Sequence, residues 1–264
     1  MKVLDHGYVN LVESYGSDER IIEAARMSTQ KGFEGWGPEC KECRCNTYEP
    51  GRVKAGQPCP ACGTTLVAGD EKLLGYLWRN NHATPFEMGG AILEIQAPIF
   101  VFREWHRHRT QSYNEMSARY APLPDLNYVP TIERLMRGGG HLTKQAGAAP
   151  GAGALTEERA RTFCEVLTNH YEDLEHTYQL ALQEGVPKEL ARLVLPVGRY
   201  SRMRASANLR NWLGFLTLRL APQAQWEIRQ YAQAVHDLLV PIFPRTLGLF
   251  DEGRGAMREK GGDR

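Results

Sequence analysis

A polar run from Arg107 to Tyr120, RHRTQSYNEMSARY, carries much of the chemistry that this sequence offers. It contains three arginines and one histidine against a single carboxylate, Glu115. A solvated surface normally alternates charges of opposite sign, so this excess of cations favours a bound anion. A guanidinium group contacts a phosphate, or the carbonyl edge of a heterocycle, through two parallel hydrogen bonds. The run therefore predicts a site for a small anionic ligand.

Two further arginines lie in otherwise apolar segments. Arg192 occurs in LARLVLP and Arg219 in LTLRLAP, and each interrupts an apolar stripe. An unpaired charge in such surroundings is costly, so each arginine requires a partner. A structural salt bridge explains either one taken alone. Together with the polar run, they indicate an anionic pocket.

The cysteines form a second chemical group, because five of the six fall within residues 40–62. Two CxxC hooks occur in this window: Cys40 with Cys43, and Cys59 with Cys62. Two such hooks supply the four thiolates of a tetrahedral Zn²⁺ site. A site of this kind has no open position for a substrate, so the predicted role of zinc is structural. Disulfides or an iron–sulfur site are the alternatives, and Cys45 competes with Cys43 as a ligand.

The sixth cysteine, Cys164, lies outside this window. It shares a helical stripe with Leu167 and Tyr171, which predicts a place on the core face of a helix. A cysteine in apolar surroundings has a raised pKa and little thiolate. We therefore expect Cys164 to be a packing residue and not a nucleophile.

The elements that must position these residues follow from the apolar pattern. Ser17 predicts a helix N-cap before DERIIEAARM, and a stripe of leucines predicts a second helix over residues 70–81. AILEIQA alternates as a half-buried strand, and a buried element, IFVFREW, then leads into the polar run. Thr156 opens a long helix that ends at Gly185. Three more helical segments follow: PKELARLVLP, ANLRNWLGFLTLRL and AQWEIRQYAQAVHDLLV.

Composition divides the chain into segments. We predict that residues 33–68 form a zinc-ribbon insertion between two helices. The domain that surrounds this insertion is expected to comprise residues 1–32 and 69–250. The glycine- and alanine-rich residues 137–154 predict a mobile loop, and residues 251–264 a flexible C-terminal tail.

The whole-chain properties exclude several classes of protein. The 264 residues are 42% apolar, enough for one large domain with an insertion. Lysine and arginine number 32 against 31 acids, so the net charge of +1 provides no chain-wide attraction for nucleic acid. No stretch approaches the roughly 20 apolar residues of a membrane span, and the N-terminus lacks the apolar core of a signal peptide. We expect a cytoplasmic protein.

The polar run also resembles the RHR-x7-S signature of flavin-dependent thymidylate synthases, with Arg107, His108, Arg109 and Ser117 in register. AARMS, HATPFE, APIFV, LARLVLP and AQWEIRQYA follow in family order, so the resemblance covers nearly all of the chain outside the zinc insertion, the loop and the tail. It implies a helix-rich α+β fold with an antiparallel sheet, and a homotetramer whose active sites are shared between subunits. It also implies reductive methylation of dUMP to dTMP, with methylenetetrahydrofolate as carbon donor, FAD as hydride carrier and NADPH as reductant, and without a protein cysteine nucleophile.

The resemblance assigns roles by matching position. Flavin-side roles fall to Ser28, His82, Thr84, Arg107, His108, Arg109, Asn208 and Arg210. Nucleotide-side roles fall to Glu104, Glu115, Ser117, Arg119, Arg192 and Arg219. In this assignment Arg192 and Arg219 stabilise negative charge that develops on the uracil ring, and His82 polarises the flavin.

Several departures from the family pattern are visible. Gly214 and Gln223 stand where some relatives have asparagine and histidine. Glu104 stands where the family often has glutamine, and a carboxylate near a phosphate is repulsive unless it is protonated or turns towards an arginine. The zinc ribbon has no counterpart in the pattern.

Two alternative functions also follow from the sequence. One is a related flavoenzyme that makes another 5-substituted deoxyuridylate, such as 5-hydroxymethyl-dUMP. The other is a nucleic-acid-binding role for the ribbon, but its four basic residues, Lys41, Arg44, Arg52 and Lys54, are balanced by three nearby glutamates. Nucleic acid is therefore not the expected partner.

Overall fold

The computed structural model describes residues 1–43, 54–137 and 155–261. Arg44, Cys45 and Arg52 lie outside the described residues, as does nearly all of the predicted loop 137–154. The helices are α1 Asp18–Arg26, α2 Asp70–Arg79, α3 Ile99–Trp105, α4 Ile132–Met136, α5 Glu157–Gln183, α6 Lys188–Ala191, α7 Leu209–Arg219, α8 Trp226–Leu239 and α9 Pro244–Gly261. The strands are β1 Lys2–Val3, β2 Gly7–Tyr15, β3 Pro38–Glu39, β4 Val67–Ala68, β5 Gly90–Pro98, β6 Ser112–Glu115 and β7 Tyr200–Asn208.

Five strands form one sheet in the order β1-β2-β5-β7-β6, and β3 pairs with β4 separately. β1 runs antiparallel to β2, and β6 runs antiparallel to β7 with Ser112 opposite Ser206. This helix-rich α+β architecture with an antiparallel sheet confirms the fold that the family resemblance implied. The alternation predicted for β5 is also present, since Leu93, Ile95 and Ala97 are fully buried.

The chain divides into two compact units. Unit 1 comprises Met1–Glu13, Ile92–Ala207 and Gly214–Asp237, and unit 2 comprises Ser14–Ala91, Asn208–Leu213 and Leu238–Arg264. In unit 1, Trp105 at the end of α3 is fully buried, with the ring of Phe215 at 4.5 Å and that of Tyr231 at 6.4 Å between centroids. α3 is thereby fixed where the polar run begins.

The long helix α5 of unit 1 has the predicted boundaries. The Thr156 side chain accepts a hydrogen bond from Arg159 N at 3.3 Å, and Gly185 follows the helix with a φ of 82°. The prediction that Cys164 is buried is wrong, because it is only half-buried. Its Sγ donates to the backbone oxygen of Pro130 at 3.3 Å.

In unit 2, Ser17 caps α1 as predicted, accepting from Arg20 N at 3.4 Å. The neighbouring buried Asp18 accepts from Arg245 N at 2.7 Å and from Thr246 N at 3.2 Å, which satisfies free N–H groups at the start of α9. α9 continues to Gly261, so residues 251–261, predicted to be a flexible tail, are helical. The buried first turns of α9 provide a nucleus from which the helix extends.

Residues 33–68, predicted as the zinc insertion, fall within the chain range of unit 2. Among the helices of the described ranges, none combines the length and the hydropathy that a membrane span requires.

Candidate active site

The polar run begins with two turns that directly follow the end of α3. His108 N donates to Trp105 O at 3.0 Å, and Gln111 N donates to His108 O at 3.2 Å. The Trp105 indole donates to Gln111 Oε1 at 3.0 Å, and Tyr113 OH donates to His108 O at 2.7 Å. Burial raises the pKa of Tyr113 to about 12, so the phenol keeps its proton. These bonds hold the RHR backbone against the core.

Arg219, at the end of α7, lies against this segment. Its Nε donates to His108 Nε2 at 2.8 Å, and its Nη1 donates to Glu104 Oε2 at 2.6 Å. Its Nη2 donates to the backbone oxygen of Glu104 at 2.7 Å. The Glu104 carboxylate therefore turns towards an arginine, one of the two arrangements expected to be compatible with a nearby phosphate.

His108 is neutral in this arrangement. Burial, followed by the positive charge of Arg219, lowers the pKa of His108 to about 4. Because Nε2 accepts the hydrogen bond from Arg219, the ring hydrogen lies on Nδ1. At neutral pH, His108 is thus an uncharged hydrogen-bond donor.

A cavity of about 450 Å³ opens beside α3, within the size range of small-molecule sites. Three predicted nucleotide-side residues line it: Glu115, Ser117 and Arg192. Arg103, His106 and Ser201 contribute further polar groups. Ser201 is buried, and its Oγ has no hydrogen-bond partner among the described residues. The wall therefore combines two arginines with an unsatisfied hydroxyl, a composition that suits an anionic ligand.

The other predicted nucleotide-side residues lie elsewhere in unit 1. Glu104 and Arg219 pair with each other, and neither lines the cavity. Arg119 is half-exposed and forms an ion pair with Glu189 at 3.4 Å, while its backbone N donates to Ser117 Oγ at 3.3 Å. Within one chain, the predicted nucleotide-side residues therefore lie in three places. Some line the cavity, Glu104 and Arg219 pair with each other, and Arg119 pairs with Glu189 at the surface.

Several predicted flavin-side residues meet in unit 2 at the start of α7. Asn208 caps this helix, with its Oδ1 accepting from Asn211 N at 2.9 Å. Arg210 Nη1 lies 2.5 Å from Glu87 Oε1, and Glu87 ends the 3₁₀ turn that Thr84 begins. The sequence segments HATPFE and ANLRN, which are far apart along the chain, are therefore joined here.

The remaining flavin-side residues are exposed. Ser28 lies in the 3₁₀ turn Met27–Thr29, and His82 makes an edge contact with the Tyr76 ring at 5.5 Å between centroids. In unit 1, Arg107 and Arg109 are exposed on either side of His108. Their side chains are accessible to a ligand or to another chain.

The sequence analysis missed three polar residues of the cavity. Arg103 and His106 share one face of α3 with Ile99, at spacings of three and four residues, which is a detectable signal. Ser201 belongs to β7, a strand that the sequence analysis did not predict.

The four predicted zinc ligands are close together in unit 2. The Sγ atoms of Cys40, Cys43, Cys59 and Cys62 all lie within 4.8 Å of one another. They form the one group of potential metal ligands found among the described residues.

Comparison with known proteins identifies the family. A family model described as thymidylate synthase complementing protein matches residues 10–245. A flavin-dependent thymidylate synthase of Thermus thermophilus is 36% identical over 250 residues, which cover 95% of this chain and 77% of the relative. That of Thermotoga neapolitana is 33% identical over 248 residues, covering 94% and 92%.

A solved structure is similar throughout. The UMP/dUMP methylase PolB from Streptomyces cacaoi, bound with 5-Br dUMP, is 30% identical with a TM-score of 0.73, covering 96% of this chain and 97% of PolB. The sequence and structural matches extend over nearly the whole chain and agree with the RHR signature. The protein is therefore an enzyme that belongs to the flavin-dependent thymidylate synthase family.

Proposed function

We propose that this enzyme catalyses the reductive methylation of dUMP to dTMP, with FAD as hydride carrier, methylenetetrahydrofolate as carbon donor and NADPH as reductant. The observation that carries the proposal is the cavity in which Glu115 and Ser117 of the signature meet Arg192. The similarity to a methylase bound with 5-Br dUMP supports a pyrimidine nucleotide as the occupant.

The polar groups of the cavity suit such a nucleotide. Guanidinium groups of Arg103 and Arg192 pair with phosphate or carbonyl oxygens, and the hydroxyls of Ser117 and Ser201 supply further hydrogen bonds. Uracil C5 is a weak nucleophile, so a cation at the ring carbonyls lowers the barrier by stabilising the negative charge that develops. We assign this role to Arg192 and, by position in the family, to Arg219.

The flavin-side residues fit the chemistry of FAD. Arg210 is exposed at the first turn of α7, where its guanidinium group suits the diphosphate of FAD. Ser28, His82, Thr84 and Asn208 provide further polar contacts. Bound FAD supplies the hydride carrier, and the protein supplies orientation and electrostatics. In this proposal Arg107, Arg109 and the neutral His108 complete the binding surface.

The proposal includes a homotetramer with shared active sites. Leu193 and Val197 follow Arg192 in the chain and are 77% and 60% exposed, which is costly in water and suits a subunit contact. It also includes a cytoplasmic location, since a reducing compartment preserves clustered thiols. Light scattering after size-exclusion chromatography tests the assembly, and a monomer that retains full turnover would contradict it.

The decisive experiment is mass spectrometry of the product after anaerobic incubation with dUMP, methylenetetrahydrofolate and NADPH. The expected product is dTMP, whereas 5-hydroxymethyl-dUMP would establish the alternative reaction. A parallel incubation with UMP tests selectivity for the deoxyribose. Arg192→Ala is expected to lower kcat/KM about 100-fold. Arg20→Ala, at an exposed i,i+3 ion pair on α1, serves as the matched control.

FAD binding is tested separately by fluorescence quenching. The purified protein is expected to be yellow, or to take up added FAD with about micromolar or tighter affinity. A folded protein that binds no FAD would overturn the proposed function before any assay of turnover.

A further inference from the structure

We propose that Cys40, Cys43, Cys59 and Cys62 bind one Zn²⁺ ion as a closed site whose role is to hold residues 38–43 and 54–68 together. This inference is independent of the proposed reaction, because none of these residues lines the cavity beside α3.

The backbone around the second hook forms a compact knuckle. Cys59 O accepts from Gly63 N at 2.8 Å, and Cys59 N donates to Thr64 O at 2.8 Å. Leu66 N donates to Gln57 O at 2.9 Å, so the segments on both sides of the hook are paired. The two thiols of the hook are therefore presented from one tight turn.

The distances between the sulfur atoms match a single tetrahedral ion. Cys40 and Cys62 are separated by 3.3 Å, Cys43 and Cys59 by 3.6 Å, and Cys43 and Cys62 by 3.7 Å. A Zn–S bond of about 2.3 Å places the sulfurs of a tetrahedron about 3.8 Å apart. A disulfide requires about 2.05 Å, and a cluster of several irons separates its thiolates further. Four sulfurs around one centre thus favour one ion.

The donor set also favours a structural role. Cys40 and Cys59 are buried and pack with Leu66, while Cys43 and Cys62 are exposed. Four thiolates complete the coordination of Zn²⁺ and leave no position for water or substrate. Soft thiolates in a tetrahedron are typical of zinc, although a single iron ion accepts the same ligands. Metal analysis separates the two ions.

The base of this segment is fastened by contacts that do not involve the thiols. Asp70 Oδ2 accepts from Glu34 N at 2.7 Å and from Gly35 N at 3.1 Å, and Asp70 Oδ1 lies 2.5 Å from Arg26 Nη2. A Cβ at Gly69 would lie 2.1 Å from the backbone oxygen of Gly37, so the two ends of the segment meet where only glycine fits. Loss of the ion is therefore expected to disorder residues 38–43 and 54–68 and to leave the contacts of Asp70 and Gly69 in place.

The first test is metal analysis by mass spectrometry of full-length protein, purified without chelator from medium that contains zinc and iron. We expect about one zinc per chain, and less than about a tenth of that in the Cys59→Ser/Cys62→Ser variant. Cys164→Ser is the matched control, because Cys164 lies outside the cluster, and it is expected to retain the zinc. Iron in place of zinc, or no metal before and after reconstitution with zinc, would overturn the proposal.

The metal ligands are identified by two single-cysteine variants and by the spectrum of the Co²⁺-substituted protein. Cys43→Ser is expected to lose the ion and Cys45→Ser to retain it, and the reverse result would overturn the assignment of Cys43. Co²⁺ added to the metal-free protein is expected to give the visible bands and thiolate charge-transfer absorption of a tetrahedral site. Octahedral spectra would contradict four thiolate ligands.

Hydrogen exchange and FAD titration test the role of the ion. In the double variant, we expect faster exchange in residues 38–43 and 54–68, little change in the rest of unit 2 and an FAD affinity within about threefold of the parent value. Loss of FAD binding or of exchange protection throughout unit 2 would overturn a role confined to this segment. Failure of the parent protein to bind FAD or form dTMP would overturn the proposed function and leave the metal result standing.

Discussion

Arg219 binds Glu104 twice, with Nη1 on the side-chain carboxylate at 2.6 Å and Nη2 on the backbone carbonyl at 2.7 Å. The side chain of Arg219 is only 14% exposed. Its Nε is engaged by His108, so the fork has a single orientation. A lysine at this position has one compact ammonium group and cannot make the three contacts together.

Arg219→Lys is therefore expected to lower kcat/KM for dUMP about 100-fold, the cost of losing one oriented donor at a developing charge. Steady-state methylation measures this effect, with thermal unfolding to show that the variant is folded. Arg20→Lys is the control for an exposed arginine. A folded Arg219→Lys enzyme with activity within threefold of the parent would remove Arg219 from the proposed mechanism.

Glu104→Gln tests the charge of the pair separately from its geometry. The amide oxygen still accepts from Arg219, but the positive charge of Arg219 is no longer neutralised. The side chain of Glu104 is 41% exposed, so solvent screens much of the effect, and we expect the KM for dUMP to fall about threefold. An increase in KM would show that the carboxylate itself is needed for substrate binding.

The lowered pKa of His108 in the folded chain predicts that the free energy of unfolding depends on pH. Its pKa falls from 6.5 to about 4 on folding, so the unfolded chain binds more protons than the folded chain between these values. The contribution to stability is thus present above pH 6.5 and is lost as the pH falls towards 4. After allowance for solvent screening, we expect a loss of about 1–2 kcal/mol between pH 7 and pH 4.

Urea unfolding of the parent and of His108→Gln at several pH values measures this contribution. The difference between the two curves is expected to depend on pH below 6.5, because glutamine does not titrate. His170→Gln, at an exposed position on α5, controls for the general effect of removing a histidine. Equal pH dependence in all three proteins would contradict the low pKa of His108.

Substitution of Cys164 tests the prediction that the reaction uses no cysteine nucleophile. Burial, and then the charge of Glu165, raises the pKa of its thiol, so little thiolate is present at neutral pH. Cys164→Ala is expected to keep most of its turnover and to lose about 1 kcal/mol of unfolding free energy through lost packing. Steady-state methylation and thermal unfolding measure the two effects. A thousandfold loss of turnover in a folded variant would refute a mechanism without a cysteine nucleophile.

Substitution of Asp70 tests how much its contacts with Glu34 and Gly35 contribute to stability. Its carboxylate is fully buried, pairs with Arg26 and accepts two backbone N–H groups. Asp70→Asn removes the buried charge and leaves Glu34, at 2.9 Å, as the remaining carboxylate partner of Arg26. We therefore expect the unfolding free energy to fall by about 2 kcal/mol. Urea unfolding measures the change, and Asp173→Asn on the exposed side of α5 is the control. A similar small change in both variants would show that the Asp70 contacts contribute little.

Several features followed from the sequence because they depend on neighbouring residues. Ser17 and Thr156 cap their helices through their own side chains, and β5 alternates because one of its faces is buried. The two CxxC hooks predicted that their thiols come together, while the choice between Cys43 and Cys45 stayed open. The RHR signature identified the family in the same way, as residue types at fixed spacing.

The strand β7 was not predicted, although Met203 and Ala205 point inwards and Arg202 and Arg204 outwards. Its alternation is between arginines and mostly small residues, which gives a weak hydrophobic signal. Its place between β5 and β6, with both edges paired, stabilises it as a strand. Ser201, on this strand, was missed as a cavity residue for the same reason.

Only the tertiary structure decided how the arginines are used. The sequence treated Arg192 and Arg219 alike, yet Arg192 lines the cavity while Arg219 pairs with Glu104 and His108. Glu104 and Arg103 are adjacent in the chain but project from different sides of α3, so the rotation of one helix separates the two groups. The contacts of Arg219 span more than 100 positions, and local propensity carries no information about partners at that distance.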